Sequence, residues 1–378
     1  MHLLKPSQYD RARPIFQAMD YNLAVQAILD GSVPSKIYVD DPTRPRVALT
    51  SSKQRHYLTG SPDNQAFNDF LRHRLAGIDS AHGKRSDADY FVLYYEPAGA
   101  WEQTLDTLLR VHNPIRSERE YYTVQTEGRG GHPTSTSLPE TFSLHYVDEH
   151  LLSREKLRNL EDLIEELCSE RQSVQDFLDK SFGFCLLHGD EVAGWCLSEY
   201  NTAERCEIGI ATFEPHRRRG IATAMASALL AYAPSQGISH VGWHCYTSNV
   251  ASAATARKAG LLKTVEYPVR LAYLNETINL AVHGNVAFQQ GQYDRALERY
   301  LEAFHGGDAP VWVYGNAACA SALLGQRSTA IAYLDEALDR GYDDLERLLT
   351  SEHLASLHDM EEWKALVDRL GEIASSTA

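Results

Sequence analysis

Hydrophobic and polar positions change period along this 378-residue chain in a way that divides it into three. Through residues 1 to about 124, runs with apolar residues three and four apart (Ala12 to Leu29, Gln65 to Leu75, Trp101 to Val111) alternate with short β-rich runs (Ser35 to Val39, Tyr90 to Tyr95). That alternation predicts an α/β N-terminal domain. Residues 125 to 137 are dense in Gly, Ser, Thr and Pro with no period, so a linker is expected over 125–140. Residues 141–274 predict strands at 142–147, 183–188, 191–200, 205–213, 239–246 and 265–273, and helices at 154–170, 173–180, 221–233 and 250–259. A hairpin signal at Gly189-Asp190, followed by strand-helix-strand alternation with its crossover, implies a mixed sheet. From residue 275 to the end the period is helical throughout. The expected fold class is α/β with a mixed sheet, followed by an all-α helical repeat domain.

The helical segment repeats itself. Gly291, Ala296, Tyr300 and Ala303 recur as Gly325, Ala330, Leu334 and Ala337, each pair 34 residues apart. With Gly284 and Tyr293, this spacing of small residues and aromatics resembles the tetratricopeptide repeat, two antiparallel helices per unit with small residues where they cross. In the second unit Ala318 stands for the first Gly and Arg327 for the Tyr, and residues 344–370, with Trp363, look like a degenerate third unit or a cap. The resemblance implies a surface for a protein partner or for self-association; packing on the neighbouring domain is the plainer alternative.

Charge and cysteines narrow the function classes. The net charge is −15, and residues 275–378 carry 7 Lys and Arg against 17 Asp and Glu, so most of the net negative charge lies in the helical segment. Nucleic-acid binding needs clustered cations and is not expected. No run of eighteen apolar residues and no apolar leader occurs, so neither a membrane span nor export is expected. The six cysteines (168, 185, 196, 206, 245, 319) have no ligand-like spacing, which fits a reducing cytoplasm without disulfides or a zinc site.

The most informative stretch runs from Glu207 to Phe213 and on through Arg217-Arg218-Arg219-Gly220-Ile221-Ala222-Thr223. It reads as a strand, a basic turn and a helix start, where unpaired amides and the positive end of the helix dipole converge on a phosphate. Gly220 is expected to let the backbone approach that phosphate closely.

Those residues resemble the GNAT superfamily of acetyl-CoA-dependent N-acetyltransferases. Its pyrophosphate motif, Gln/Arg-x-x-Gly-x-Gly/Ala, is matched by Arg217 to Ala222, and its second CoA element, an Asn with a Gly eleven residues on, by Asn249 and Gly260. Within it, Glu207 to Ile210, Trp243-His244-Cys245 and Asn249 to Ser252 look like the branch that includes the zwittermicin A resistance protein, as do Tyr21 to Ala24, Ile37 to Asp40 and Trp101-Glu102 in the first half. The resemblance implies acetyl-CoA as cosubstrate, no metal, and a CoA site of Ile210, Ala211, Thr212, Arg217 to Thr223, Asn249 and Ser252. It also implies an amine acceptor, either a small cationic molecule of antibiotic or polyamine type or a peptide, with residues 1–124 forming one wall of its cleft.

Amine acetylation needs a base for the ammonium and, where the thiolate does not leave unaided, an acid for the sulfur. The superfamily's base is often a Glu at the start of the strand before the pyrophosphate motif, a position filled here by Glu207, with Glu199 on the preceding strand as the reserve. Many members place the acid, a Tyr, seven residues after the Asn; here that residue is Ala256. Tyr246, His244 or Cys245 are the substitutes, and strand alternation separates Cys245 from the other two. A buried strand Cys reads as a small hydrophobe rather than an acetyl carrier. His240 and His244 lie four apart on one face without a third ligand, so packing is expected there. The missing Tyr keeps an alternative open: a CoA-binding, weakly catalytic scaffold that recruits a protein through its repeats.

Overall fold

The computed structural model describes residues 1–76, 89–126 and 138–377, so most of the segment read as a linker lies outside the described residues. The chain forms two compact units, one of Met1–Leu71, Val92–Leu108 and Arg116–Arg270, the other of Arg72–Phe91, Leu109–Ile115 and Leu271–Ala378.

The first unit is built on a mixed sheet. Its strands are β1 (His2–Leu3), β2 (Ile37–Val39), β3 (Val47–Ser52), β4 (Arg55–Gly60), β5 (Tyr90–Glu96), β6 (Ile115–Gln125), β7 (Phe142–Tyr146), β8 (Gly183–His188), β9 (Val192–Thr202), β10 (Arg205–Thr212), β11 (His240–Tyr246) and β12 (Leu262–Tyr273). They lie in the order β1-β2-β3-β4-β5-β12-β6-β11-β10-β9-β8-β7. Strands β4 with β5 and β10 with β11 run parallel, and each parallel pair is joined by a helical crossover. The strand period of two shows in β8, where Leu186 faces one core and Cys185 and Leu187 the other. The first core packs Ile221, Met225 and Leu229 of one helix and Ala253 and Ala256 of another against the sheet; the second packs Leu160, Leu163, Leu167 and Phe177.

Two long helical readings are broken. Residues 12–29 form short helical turns and then a separate helix α1 (Leu23–Leu29), because Asn22 is extended (φ −106°, ψ 102°) and the N–H of Leu23 donates to the side chain of Glu207. Residues 154–170 yield a helix only over Leu160–Leu167, because Arg158 pairs its backbone with Asp190 and Val192, and Asn159 turns through φ +59°. The helices after β10 and β11 are α2 (Ile221–Tyr232) and α3 (Val250–Lys258).

The second unit contains the C-terminal helices, among them α4 (Glu276–Gln289), α5 (Tyr293–Gly306), α6 (Val311–Leu323) and α7 (Arg327–Asp339). Small residues stand where α4 and α5 cross: a Cβ on Gly284 would overlap the ring of fully buried Tyr300, whose hydroxyl donates to Asn285 Oδ1 at 2.9 Å. At Gly315 in α6 a Cβ would find its nearest neighbour, Tyr342, at 3.9 Å. Two alanine substitutions therefore have opposite signs. Gly315→Ala is expected to gain the roughly 0.5–1 kcal/mol of helix propensity, whereas at Gly284→Ala overpacking by about 1–3 kcal/mol outweighs that gain. Thermal unfolding followed by circular dichroism, with the transition rising in the first variant and falling in the second, checks both.

Candidate active site

Strands β10 and β11 part company in the middle of the sheet. Their parallel ladder runs only from Arg205↔His240 to Glu207↔Gly242, yet β10 continues to Thr212 and β11 to Tyr246. A register shift between Glu207 and Ile208 in the pairing with β9 marks where β10 bends away. The wedge opens toward the C-terminal ends of both strands, the ends from which the chain goes on to α2 and α3. A cavity of about 280 Å³ occupies it, lined by Ile208 to Ala211 on one side and Trp243 to Tyr246, Asn249 and Ser252 on the other. Asn22, Arg55, Tyr57, Tyr94 and Arg119 from the first half of the chain, and Glu166, Trp195, Glu199 and Tyr200, complete its walls.

The basic turn lies beyond β10. Gly220 caps α2 at φ +78°, Arg218 precedes it at φ +62°, and no side chain caps the helix, so the first amides of α2 keep no intrahelical acceptor. All three arginines are exposed; Arg217 Nε donates to Thr212 O at 3.1 Å, and Arg219 lies 5.9 Å over the ring of Phe142. No protein atom lies within 4 Å of a Cβ built at Gly220, and its left-handed backbone is one that glycine adopts readily. Asn249 Oδ1 caps α3 through the N–H of Ser252 at 3.0 Å, and the Ser252 hydroxyl accepts from Trp243 Nε1 at 3.0 Å. Ala256 is wholly buried in the core under α3.

Glu207 and His244 meet at the base of the wedge. One oxygen of the buried Glu207 carboxylate accepts both the Leu23 N–H at the start of α1 and, at 3.1 Å, the Nε2–H of His244. With its proton on Nε2, the imidazole accepts the Tyr267 hydroxyl on Nδ1 at 2.8 Å. Tyr121 stacks on the same ring at 4.6 Å, occupying space left by the missing side chain of Gly242. Both nitrogens of His244 are thus engaged, which fits neither metal ligation nor a free proton donor. Burial keeps the Tyr267 phenol neutral by pushing its pKa up.

Glu199 is the other carboxylate in the cavity wall. Burial, opposed by the cation of Arg55 and reinforced by Glu170, Glu166 and Glu207, pushes it up to about 7. Its carboxyl lies over the Cα of Gly209, where any Cβ would overlap it. Arg55 pairs with Glu170, which also accepts the hydroxyl of Tyr200, so β4 and β9, six places apart in the sheet order, face each other across the cavity. Cys245 points into the core and burial raises its thiol, consistent with an inert strand cysteine. His240 Nδ1 is 2.8 Å from the Ser239 hydroxyl.

Of the residues singled out in the sequence, Glu199, Glu207, Ile210, Ala211, His244, Tyr246, Asn249 and Ser252 line one cavity, whereas Thr212 and Arg217 to Thr223 lie outside its lining. The sequence reading missed Arg55, Tyr57, Tyr94, Arg119, Tyr121 and Tyr267.

Comparison with known proteins adds a family to this geometry. The family model of the GNAT acetyltransferases matches residues 13–270. The uncharacterised N-acetyltransferase YdfB of Bacillus subtilis (strain 168) is 28% identical over 268 residues, covering 70% of this chain and 96% of that protein. A crystal structure of a GCN5-related N-acetyltransferase-like protein from Streptococcus suis superposes with a TM-score of 0.50 at 23% identity, over 71% of this chain and 98% of its own, a likeness of fold. A GCN5-related N-acetyltransferase from Sphaerobacter thermophilus matches over 72% of this chain and 95% of its own, at 13% identity and a TM-score of 0.49.

Proposed function

We propose that this chain, which belongs to the GNAT acetyltransferase family, moves an acetyl group from acetyl-CoA to an amine by direct attack within a ternary complex. The observation that carries the reading is the wedge between β10 and β11, which ends at the basic turn before α2. The family generally uses acetyl-CoA. Here the pantetheine arm would lie along Ile210, Ala211 and Thr212 and beside Asn249 and Ser252. The pyrophosphate would take the amides of Gly220 to Thr223 and the charges of Arg217, Arg218 and Arg219.

Hydrogen bonding supports different roles for the two glutamates. Glu207, the base expected from family placement, is committed to Leu23 and His244, so we assign it and His244 to shaping the site. Proton acceptance from the ammonium falls to Glu199, whose pKa near 7 suits a general base. Tyr246 lines the thioester end and is the group we assign to the departing sulfur. The acidic lining of Glu166, Glu199 and Glu207 supports an ammonium-bearing acceptor, a small cationic molecule or a peptide terminus. The motifs from Glu207 to Ile210 and Trp243 to Cys245 support placement beside the zwittermicin A resistance branch. The 34-residue spacing and the Gly284–Tyr300 contact support tetratricopeptide-like repeats, with protein binding or self-association as their expected use.

Free thiol release from acetyl-CoA over a panel of amines, paired with CoA calorimetry, tests the reading. Turnover with an amine supports it. Firm CoA binding without turnover on any acceptor favours the scaffold alternative. Gly220→Val forces a β-branched residue to φ +78°, so CoA affinity is expected to fall by about tenfold or more. Unchanged affinity would remove the pyrophosphate assignment.

A further inference from the structure

Two arginines and one histidine line the cavity, and two of these three have partners. Arg55 is held by Glu170, and His244 by Glu207 and Tyr267. Arg119, projecting from β6 beside Tyr246 of β11, has none of opposite charge. It donates to the Tyr94 hydroxyl at 2.7 Å and lies 5.1 Å over the ring of Tyr246 and 5.8 Å over that of Tyr94. Its Nε is buried without an acceptor, and among the described residues no carboxylate lies within ion-pair distance.

A guanidinium withdrawn from water is costly unless an anion or sufficient acceptors meet it. The nearby phenols do not supply one, since burial raises the pKa of Tyr267, and an arginine guanidinium keeps its proton in proteins. The planar fork of Arg matches a carboxylate in two parallel hydrogen bonds. The Arg119 side chain forms part of the wall of a cavity of about 280 Å³, which leaves room for a small molecule rather than a polymer segment. Glu199, across the same cavity, suits the ammonium of that molecule.

On the reading that this site acetylates an amine, we propose that its acceptor also carries a carboxylate, bound by Arg119, so that the substrate class is small amino acids. Acetylation then proceeds by attack of the neutral amine on the thioester carbonyl. The C–S bond breaks, the amine proton passes to Glu199, and CoA leaves as its thiol by taking the proton of the Tyr246 hydroxyl, which Glu199 then restores through solvent.

The test compares matched acceptors that share an amine and differ in the anion: β-alanine with ethylamine, γ-aminobutyrate with propylamine, and 2-aminoethyl phosphate with ethanolamine. Thiol release is measured for the full-length protein, Arg119→Gln and Arg119→Lys, with CoA affinity confirming that each variant is folded. The expected result is that the carboxylate members exceed their partners by about 100-fold in kcat/KM. Arg119→Gln should abolish that preference through KM, lowering the carboxylate members far more than the simple amines, and Arg119→Lys should retain part of it. Simple amines that match or exceed the amino acids, or an Arg119→Gln loss shared equally by both members of each pair, would overturn the proposal while leaving acetyl transfer in place. Preference for 2-aminoethyl phosphate over β-alanine would overturn the carboxylate assignment. No thiol release from any acceptor would overturn the underlying reading as well.

Discussion

Glu199→Gln is expected to lower kcat by about 10²–10⁴-fold and to erase the acid limb of the pH profile. In the unsubstituted protein the base must be ionised, so kcat/KM should climb tenfold per pH unit below about 7 and level off above it. The Gln variant should show a low, nearly flat rate over the same range. Stability should move the opposite way. A carboxyl whose folded pKa lies above its unfolded value near 4.5 loses nothing at pH 4, and the folded state is progressively penalised between pH 4.5 and 7 as the group ionises. Above pH 7 that penalty is complete, with an upper bound of ~3 kcal/mol from the displacement of the pKa. Glu199→Gln should therefore raise the melting temperature at pH 8 and leave it unchanged at pH 4. Thermal unfolding at both values, beside initial rates from pH 5.5 to 9, checks the pair. A carboxyl with this pKa but no part in proton transfer would show the pH-dependent gain in stability without the rate loss.

Glu207→Gln separates the two glutamates. An amide oxygen still accepts the Leu23 N–H, but the charge that complements the start of α1 and orients His244 is gone. The expected result is a melting temperature lowered by a few degrees and a smaller loss of rate than at Glu199. The limb near pH 7 should remain in place.

What the sequence made legible was local, and what it hid was long-range. The stretch from Phe142 to Tyr273 carries its own turn signals and crossover helices, so its strands were readable, along with Glu207, Asn249 and the basic turn that follow from them. The wall opposite was not. Residues 115–125 place Arg119 in the site only because β6 enters between β12 and β11, a pairing between segments more than a hundred residues apart. The same holds for Arg55 on β4, whose partner Glu170 lies 115 residues further along the chain. Hydrophobic period also overstated helix length. Apolar spacing runs smoothly from Ala12 to Leu29, but the chain breaks at Asn22 because a carboxylate 184 positions further along accepts the first amide of α1. Family placement named Glu207 as the base. The hydrogen bonds that occupy it, and the burial that raises the pKa of Glu199, are long-range features, and our proposal of Glu199 as the base rests on them.

Gly209→Ala is expected to reproduce most of the Glu199→Gln rate loss without removing a single functional group. Gly209 pairs with Leu197 in the β10–β9 ladder, and the Glu199 carboxyl lies where its Cβ would stand. Its backbone is not in the left-handed region, so alanine brings no conformational strain of its own; the substitution acts by displacing that carboxyl. Moving a proton acceptor by about 1 Å costs on the order of 10²-fold in rate, and the relocated group also loses the environment that sets its pKa. The two substitutions should therefore not add. In the Glu199→Gln background, Gly209→Ala should cost less than threefold, because the proton acceptor it displaces is already gone. CoA affinity should remain within a factor of two in all three proteins, since the donor is held chiefly by the turn before α2. Kinetics of the two single variants and the double variant decide it. Additive losses would mean that Gly209 serves the donor or the wedge directly, and proton acceptance would have to be sought on Glu207.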